Sequence, residues 1–134
     1  MVGVPALLDL VTVSVSDLDR SLAFYDAALA PLGARRVSEL VDEEEDGSRV
    51  EAVGYGTGDA AQVWLVKGAT PTTALHVRLR APDRAGVEAF HAGAVAAGGQ
   101  PFSAPRRWPI YHRGEFNAMV RDPDGNLLEA VAPE

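Results

Sequence analysis

The sequence predicts an α+β fold of two βαβββ modules forming a curved, cup-like mixed sheet around a shared interior. Three observations carry this. Short period-two strand patterns are interleaved with two helical patterns. The order of those patterns recurs about halfway along the chain. The chain then closes on a hairpin whose turn, Asp122-Pro123-Asp124-Gly125, is built from residues that favour turns: Pro presets φ and Gly accepts φ > 0.

Taken in order, Leu8 to Val15 reads as a strand with Val11, Val13 and Val15 on one face and Leu8, Leu10, Thr12 and Ser14 on the other. Ser16-Asp17-Leu18-Asp19 has the [ST]-x-x-[DE] form of a helix start. Leu18, Leu22, Tyr25, Leu29 and Leu32 follow at helical spacing, and Gly33 stops the helix. Strands are expected at Arg35 to Val41, Val50 to Tyr55 and Ala61 to Val66. The acidic stretch from Asp42 to Ser48 reads as a solvated turn. Lys67 to Thr73 reads as the linker. The pattern then restarts with a strand at Leu75 to Arg80, a helix capped by Asp83 and running to about Ala97, and a stop at Gly98-Gly99. Val11 matches Val77, Val13 matches Leu79, Asp17 matches Asp83, Phe24 matches Phe90 and Gly33 matches Gly99, each 66 positions on. Gln100 to Ser103 reads as a strand, and 104 to 115 as an irregular loop. Phe116 to Arg121 and Leu127 to Val131 are expected to form the closing hairpin. Residues 1–134 thus read as one domain, with module 1 at about 8–67 and module 2 at about 74–132.

Composition narrows the function. The chain has 134 residues, 47% of them hydrophobic, a formal net charge of −7 and no cysteine. No thiolate chemistry, disulfide or cysteine-based metal centre is available. The acidic balance argues against nucleic-acid and anionic-membrane partners. No signal peptide or membrane span is read near the N-terminus, so a cytoplasmic protein is the expectation.

If one helix covers each module's sheet on its valine-rich face, the opposite faces are left to form a site. These carry Leu10, Thr12 and Ser14 in module 1, and His76, Arg78 and Arg80 in module 2. From each module's fourth strand come Gln62 with Trp64, and Glu129 with Leu127 and Val131. A carboxylate such as Glu129 in an apolar strand is costly to bury unless something pairs with it. A pocket with a few convergent polar groups is the default binding site.

Two stretches carry a family resemblance. Val15-Ser16-Asp17-Leu18-Asp19-Arg20-Ser21-Leu22-Ala23-Phe24-Tyr25-Asp26 resembles the first helix entry of the vicinal oxygen chelate superfamily, which includes glyoxalase I, bleomycin-resistance proteins and extradiol dioxygenases. Asp122-Pro123-Asp124-Gly125-Asn126-Leu127-Leu128-Glu129 resembles its closing motif. The resemblance spans about residues 8 to 132. It implies a homodimer, a small-molecule ligand and a divalent metal (Zn, Ni, Mn, Mg or Fe) held by one residue from the first and one from the fourth strand of each module. Carried over, those positions are Leu10, Gln62, His76 and Glu129. Leu10 cannot coordinate, so the set departs from the two-histidine, one-carboxylate requirement of an extradiol oxygenase. The reading that follows is glyoxalase-like lyase or isomerase chemistry at a degenerate site, with Glu129 and His76 catalytic. The alternative is a non-catalytic drug- or metabolite-binding protein of the bleomycin-resistance type. Arg78 is a second departure: inward-facing, it would oppose a cation or replace it electrostatically; otherwise it reaches the rim or pairs with Glu129. Trp64, Arg78, Arg107, Tyr111 and His112 are the expected substrate contacts, with the loop 104 to 115 as a lid.

Overall fold

The computed structural model describes residues 7–43, 49–108 and 115–132. The first module runs β1 (Val11–Val15), α1 (Leu18–Leu29), a 3₁₀ turn (Ala30–Leu32), β2 (Arg35–Glu43), β3 (Arg49–Gly56) and β4 (Val63–Lys67). The second runs β5 (His76–Arg80), α2 (Arg84–Ala96), β6 (Gln100–Trp108), β7 (Glu115–Arg121) and β8 (Leu127–Ala132). Each module forms a four-stranded mixed sheet, in the orders β1-β4-β3-β2 and β5-β8-β7-β6. The first strand of each pairs in parallel with the fourth, and the other pairings are antiparallel. The duplication read from the sequence is therefore a duplication of topology.

The helices form where caps and stripe agree. Asp17 and Asp83 each hold an extended backbone and accept a bond from an N–H three residues on, at Arg20 and Gly86. Ser16 is not the cap. Its hydroxyl donates to Asp124 at 2.5 Å instead, because the closing turn competes for it. Phe24, Tyr25, Ala28 and Leu29 of α1, and Val87, Phe90 and Ala94 of α2, are buried. With Val13, Val15, Leu65, Val120, Leu128 and Ala130 they make one apolar cluster that spans both modules. The valine-rich strand faces are the ones the helices cover, as expected.

Several boundaries differ from the sequence reading: β1 begins at Val11 rather than Leu8, β4 at Val63 rather than Ala61, and β2 runs on to Glu43, into the stretch read as a turn. Two further differences, at the second helix stop and at β6, have a clear cause. The left-handed residue after each helix is Gly33 in module 1 (φ 86) and Gly98 in module 2 (φ 99), so Gly98, not Gly99, is the partner of Gly33. Gly99 is glycine for another reason: a Cβ there would collide with Phe24 and lie 2.6 Å from Val120. Second, β6 extends to Trp108, so the irregular loop expected from 104 begins no earlier than 109. The core of the acidic turn, 44–48, lies outside the described residues.

The closing turn is a clasp. Asp122 is 5% exposed. Its carboxylate accepts from the Asp124 and Asn126 N–H groups, from Asn126 Nδ2, and from the Tyr25 hydroxyl of α1 at 2.6 Å. Asn126 in turn accepts from Leu75 N and donates to the Thr72 carbonyl. The turn thus ties module 2 to both the linker and module 1. Burial, and then the Asp122 charge, push the Tyr25 hydroxyl well above its ordinary range, so it stays a donor.

Candidate functional site

The open face of the second sheet carries a polar cluster centred on Glu129, which is only 3% exposed. Register explains the cluster: Arg78 lies opposite Glu129 on the parallel β5–β8 pair, and Met119 opposite it on β7. Glu129 Oε1 is 3.0 Å from His76 Nε2. Its Oε2 accepts from Arg78 Nε at 3.1 Å and from Asn117 Nδ2 at 2.8 Å. Arg78 reaches on to Glu115 at 2.8 Å. Burial pushes the Glu129 carboxyl up, but the bonds from Arg78, Asn117 and His76 outweigh it and hold its pKa below the ordinary 4.5. Arg78 is held in its charged form by the same partners, Glu115 foremost. The imidazole of His76 is half exposed, so this end of the cluster opens to solvent.

The register also corrects the expected equivalence between modules. Thr12 pairs with Trp64 on β1–β4, as Arg78 pairs with Glu129 on β5–β8. The module 1 counterpart of Glu129 is therefore Trp64, not Gln62, which precedes β4. Gln62 Oε1 accepts from the Thr57 N–H at 3.0 Å and from the Thr57 hydroxyl at 3.1 Å, so its carbonyl oxygen is already engaged. Leu10 precedes β1 and is 43% exposed. A divalent ion would thus find a leucine, a tryptophan, an imidazole and a carboxylate held by a guanidinium. No group of three or more His, Asp or Glu among the described residues is arranged to hold one. These residues do not fit a divalent metal.

A second feature lies between the modules: a cavity of about 830 Å³. Its walls include Leu29, Leu32, Val63 and Leu79, with Tyr55, Thr57, Gln62, Arg78 and Arg80 supplying polar atoms. The Tyr55 hydroxyl donates to Asp26 at 2.7 Å, and Asp26 forms a two-pronged pair with Arg36. Burial, then the bond to Asp26, raise the Tyr55 pKa far above its ordinary value, so the hydroxyl stays protonated.

Of the expected site residues, His76, Arg78 and Glu129 come together in the cluster, and Gln62 joins Arg78 at the cavity. Trp64 lies over Gly54, where a Cβ would be 3.1 Å from its ring. Arg107 sits opposite Phe116, a residue packed against the core, so it faces away from the Glu129 cluster; Arg106, opposite Asn117, shares the cluster's face. Tyr111 and His112 lie outside the described residues. Asn117 and Glu115 were not anticipated. An asparagine in an apolar strand at the same parity as Met119 was the available signal for Asn117.

Two mixed sheets of the same strand order, each backed by a helix and carrying its polar residues on the open face, define a glyoxalase-type α+β fold. The sequence profile of the Glyoxalase/Bleomycin resistance protein/Dioxygenase superfamily matches residues 7–130, and the chain belongs to that superfamily. A glyoxalase/bleomycin resistance protein from Albidiferax ferrireducens is similar in structure at TM-score 0.76 and 25% identity, covering 96% of this chain and 100% of that one. The fosfomycin resistance protein FosX from Listeria monocytogenes, solved with Mn(II) and 1S,2S-dihydroxypropylphosphonic acid, is similar at TM-score 0.68 and 15% identity over 98% of this chain and 95% of that one. TnmS3, an antibiotic-binding protein from a Streptomyces species, is similar at TM-score 0.60 and 24% identity over 97% and 98%. A search of curated proteins found no match.

Proposed function

We propose that this chain binds a small organic molecule in the cavity between its modules, without a divalent metal, as a binding protein of the bleomycin-resistance type. The observation that carries this is the Arg78 guanidinium on Glu129, where the family resemblance puts a metal. Arg78 Nε already occupies Glu129 Oε2, so an ion placed at that oxygen would have to displace a fixed positive charge. The cavity volume falls within the range of drug-sized sites. The antibiotic-binding neighbour TnmS3 shows that the fold supports such a role. The test is a thermal-shift screen of planar and anionic small molecules, run with and without chelator. Stabilisation indifferent to chelator and to His76→Ala supports the binder; stabilisation that requires added metal rejects it.

A second reading rests on the 3.0 Å contact between His76 and Glu129. If Nε2–H donates to the carboxylate, Nδ1 is left as a proton acceptor, and a metal-independent lyase or isomerase could move a proton from an acidic C–H. Solvent deuterium incorporation into a small α-hydroxycarbonyl compound, lost in both His76→Gln and Glu129→Gln, would favour it. In either reading the protein is a cytoplasmic homodimer. β1 and β5 each lie at the edge of their sheet, and unpaired edges invite association. Light scattering checks the mass.

A further inference from the structure

We infer that the ligand taken by the cavity is an organic carboxylate, its anionic end on the Arg80 guanidinium and its apolar body against Leu29, Leu32 and Leu79. This rests on the reading of the cavity as the ligand site and adds the ligand's chemistry to it.

Three observations lead there. The first is charge. The residues that line it include two arginines and neither Asp nor Glu, in a chain whose net charge is −7. The cavity is therefore a local positive exception. The two arginines also differ. Arg78 is committed to Glu129 and Glu115. Arg80, two residues further along β5 and on the same face, is exposed and makes no hydrogen bond or ion pair among the described residues. A guanidinium without a partner beside apolar walls is shaped to take a carboxylate through two parallel N–H bonds.

The second is the direction of the hydrogen bonds on offer. The Tyr55 hydroxyl already donates its hydrogen bond to Asp26. Gln62 has spent its carbonyl oxygen on Thr57, whose backbone N–H can only donate and so fixes the amide orientation. The Gln62 Nε2 donors and the Arg80 donors are left over. These are the donors still unspent, and they suit a ligand end that only accepts.

The third is size. A bare inorganic anion would leave most of about 830 Å³ unfilled against leucine side chains. A ring or chain attached to the carboxylate fills that volume and removes apolar surface from water.

The test is isothermal titration of the intact protein with 2-naphthoate and with its neutral amide, 2-naphthamide, in wild type, Arg80→Gln, Ala34→Trp and Thr57→Trp, each checked for fold by circular dichroism. Ala34 and Thr57 line the cavity, so the tryptophans fill it from two sides. The expected result is that naphthoate binds at least about tenfold more tightly than naphthamide, the scale of a charge-assisted bond. Arg80→Gln should erase that difference, and both tryptophan variants should abolish binding of both probes. Equal binding of the two probes, or naphthoate binding unchanged in Arg80→Gln, overturns the carboxylate assignment while leaving the cavity as the site. Binding untouched by either tryptophan overturns the cavity itself. No binding of either probe to wild type also overturns the carboxylate assignment.

Discussion

Replacing Glu129 by Gln isolates what the buried carboxylate contributes, because shape is kept and only charge and one acceptor are lost. In wild type the carboxylate accepts from Arg78, Asn117 and His76 at 2.8 to 3.1 Å while its residue is 3% exposed. A glutamine can keep its oxygen toward Arg78 and Asn117, but its amide then faces His76. Hydrogen bonds to charged groups contribute about 1.5–3 kcal/mol each. Arg78 is part-exposed and keeps Glu115, so its share is discounted for solvent screening. The expected loss is about 2–3 kcal/mol at pH 7, read from urea unfolding at fixed m-value. The pH dependence has a definite sign. The Glu129 pKa is held below its ordinary 4.5 in the folded state, so its contribution is complete above about 4.5 and is lost as pH falls through the folded value. The gap between wild type and Glu129→Gln should therefore narrow in acid. A loss under about 0.5 kcal/mol at pH 7, within the scatter of ordinary surface substitutions, would refute the reasoning, as would a gap that widens below pH 4.

Three further outcomes follow from the same geometry. Tyr25→Phe removes one bond to Asp122 but leaves the Asn126 donors, so it should cost about 1–2 kcal/mol in urea unfolding. Gly99→Ala should cost about 1–3 kcal/mol, because the new methyl meets the Ala94 carbonyl at 2.8 Å as well as Phe24 and Val120. Arg36→Gln should cost under about 1 kcal/mol by the same measurement, since the pair with Asp26 is exposed on both sides.

The fold was largely legible because it rests on local periodicity. Asp17 caps a helix that its apolar stripe had placed, Asp83 caps the one that the repeat and Gly98-Gly99 had placed, and the closing turn is fixed by its own residue types. The site was legible only in part. His76, Arg78 and Glu129 share a face by counting alone, but which carboxylate meets Arg78 depends on the cross-strand register. The same register separates Gln62 from Trp64. Two positions on one expected strand, Ala61 to Val66, look alike until the β1 partner is known, and Thr12 against Trp64 decides it. Arg107 was expected as a contact because 104 to 115 read as a loop; β6 in fact runs to Trp108, and its irregularities between Pro101 and Ser103 and between Ser103 and Arg106 hide the count of two that sets Arg106 on the cluster's face. The cavity draws its walls from α1, β3, β4 and β5, so no single stretch announces it.

The account depends most on a guanidinium occupying the place where the superfamily resemblance puts a metal. The direct measurement is the metal content of protein purified without chelator and dialysed against Mn, Ni or Zn, in wild type and Glu129→Gln. The account predicts no ion retained above the buffer level in either. One tightly held ion per chain in wild type, absent from Glu129→Gln, would contradict it.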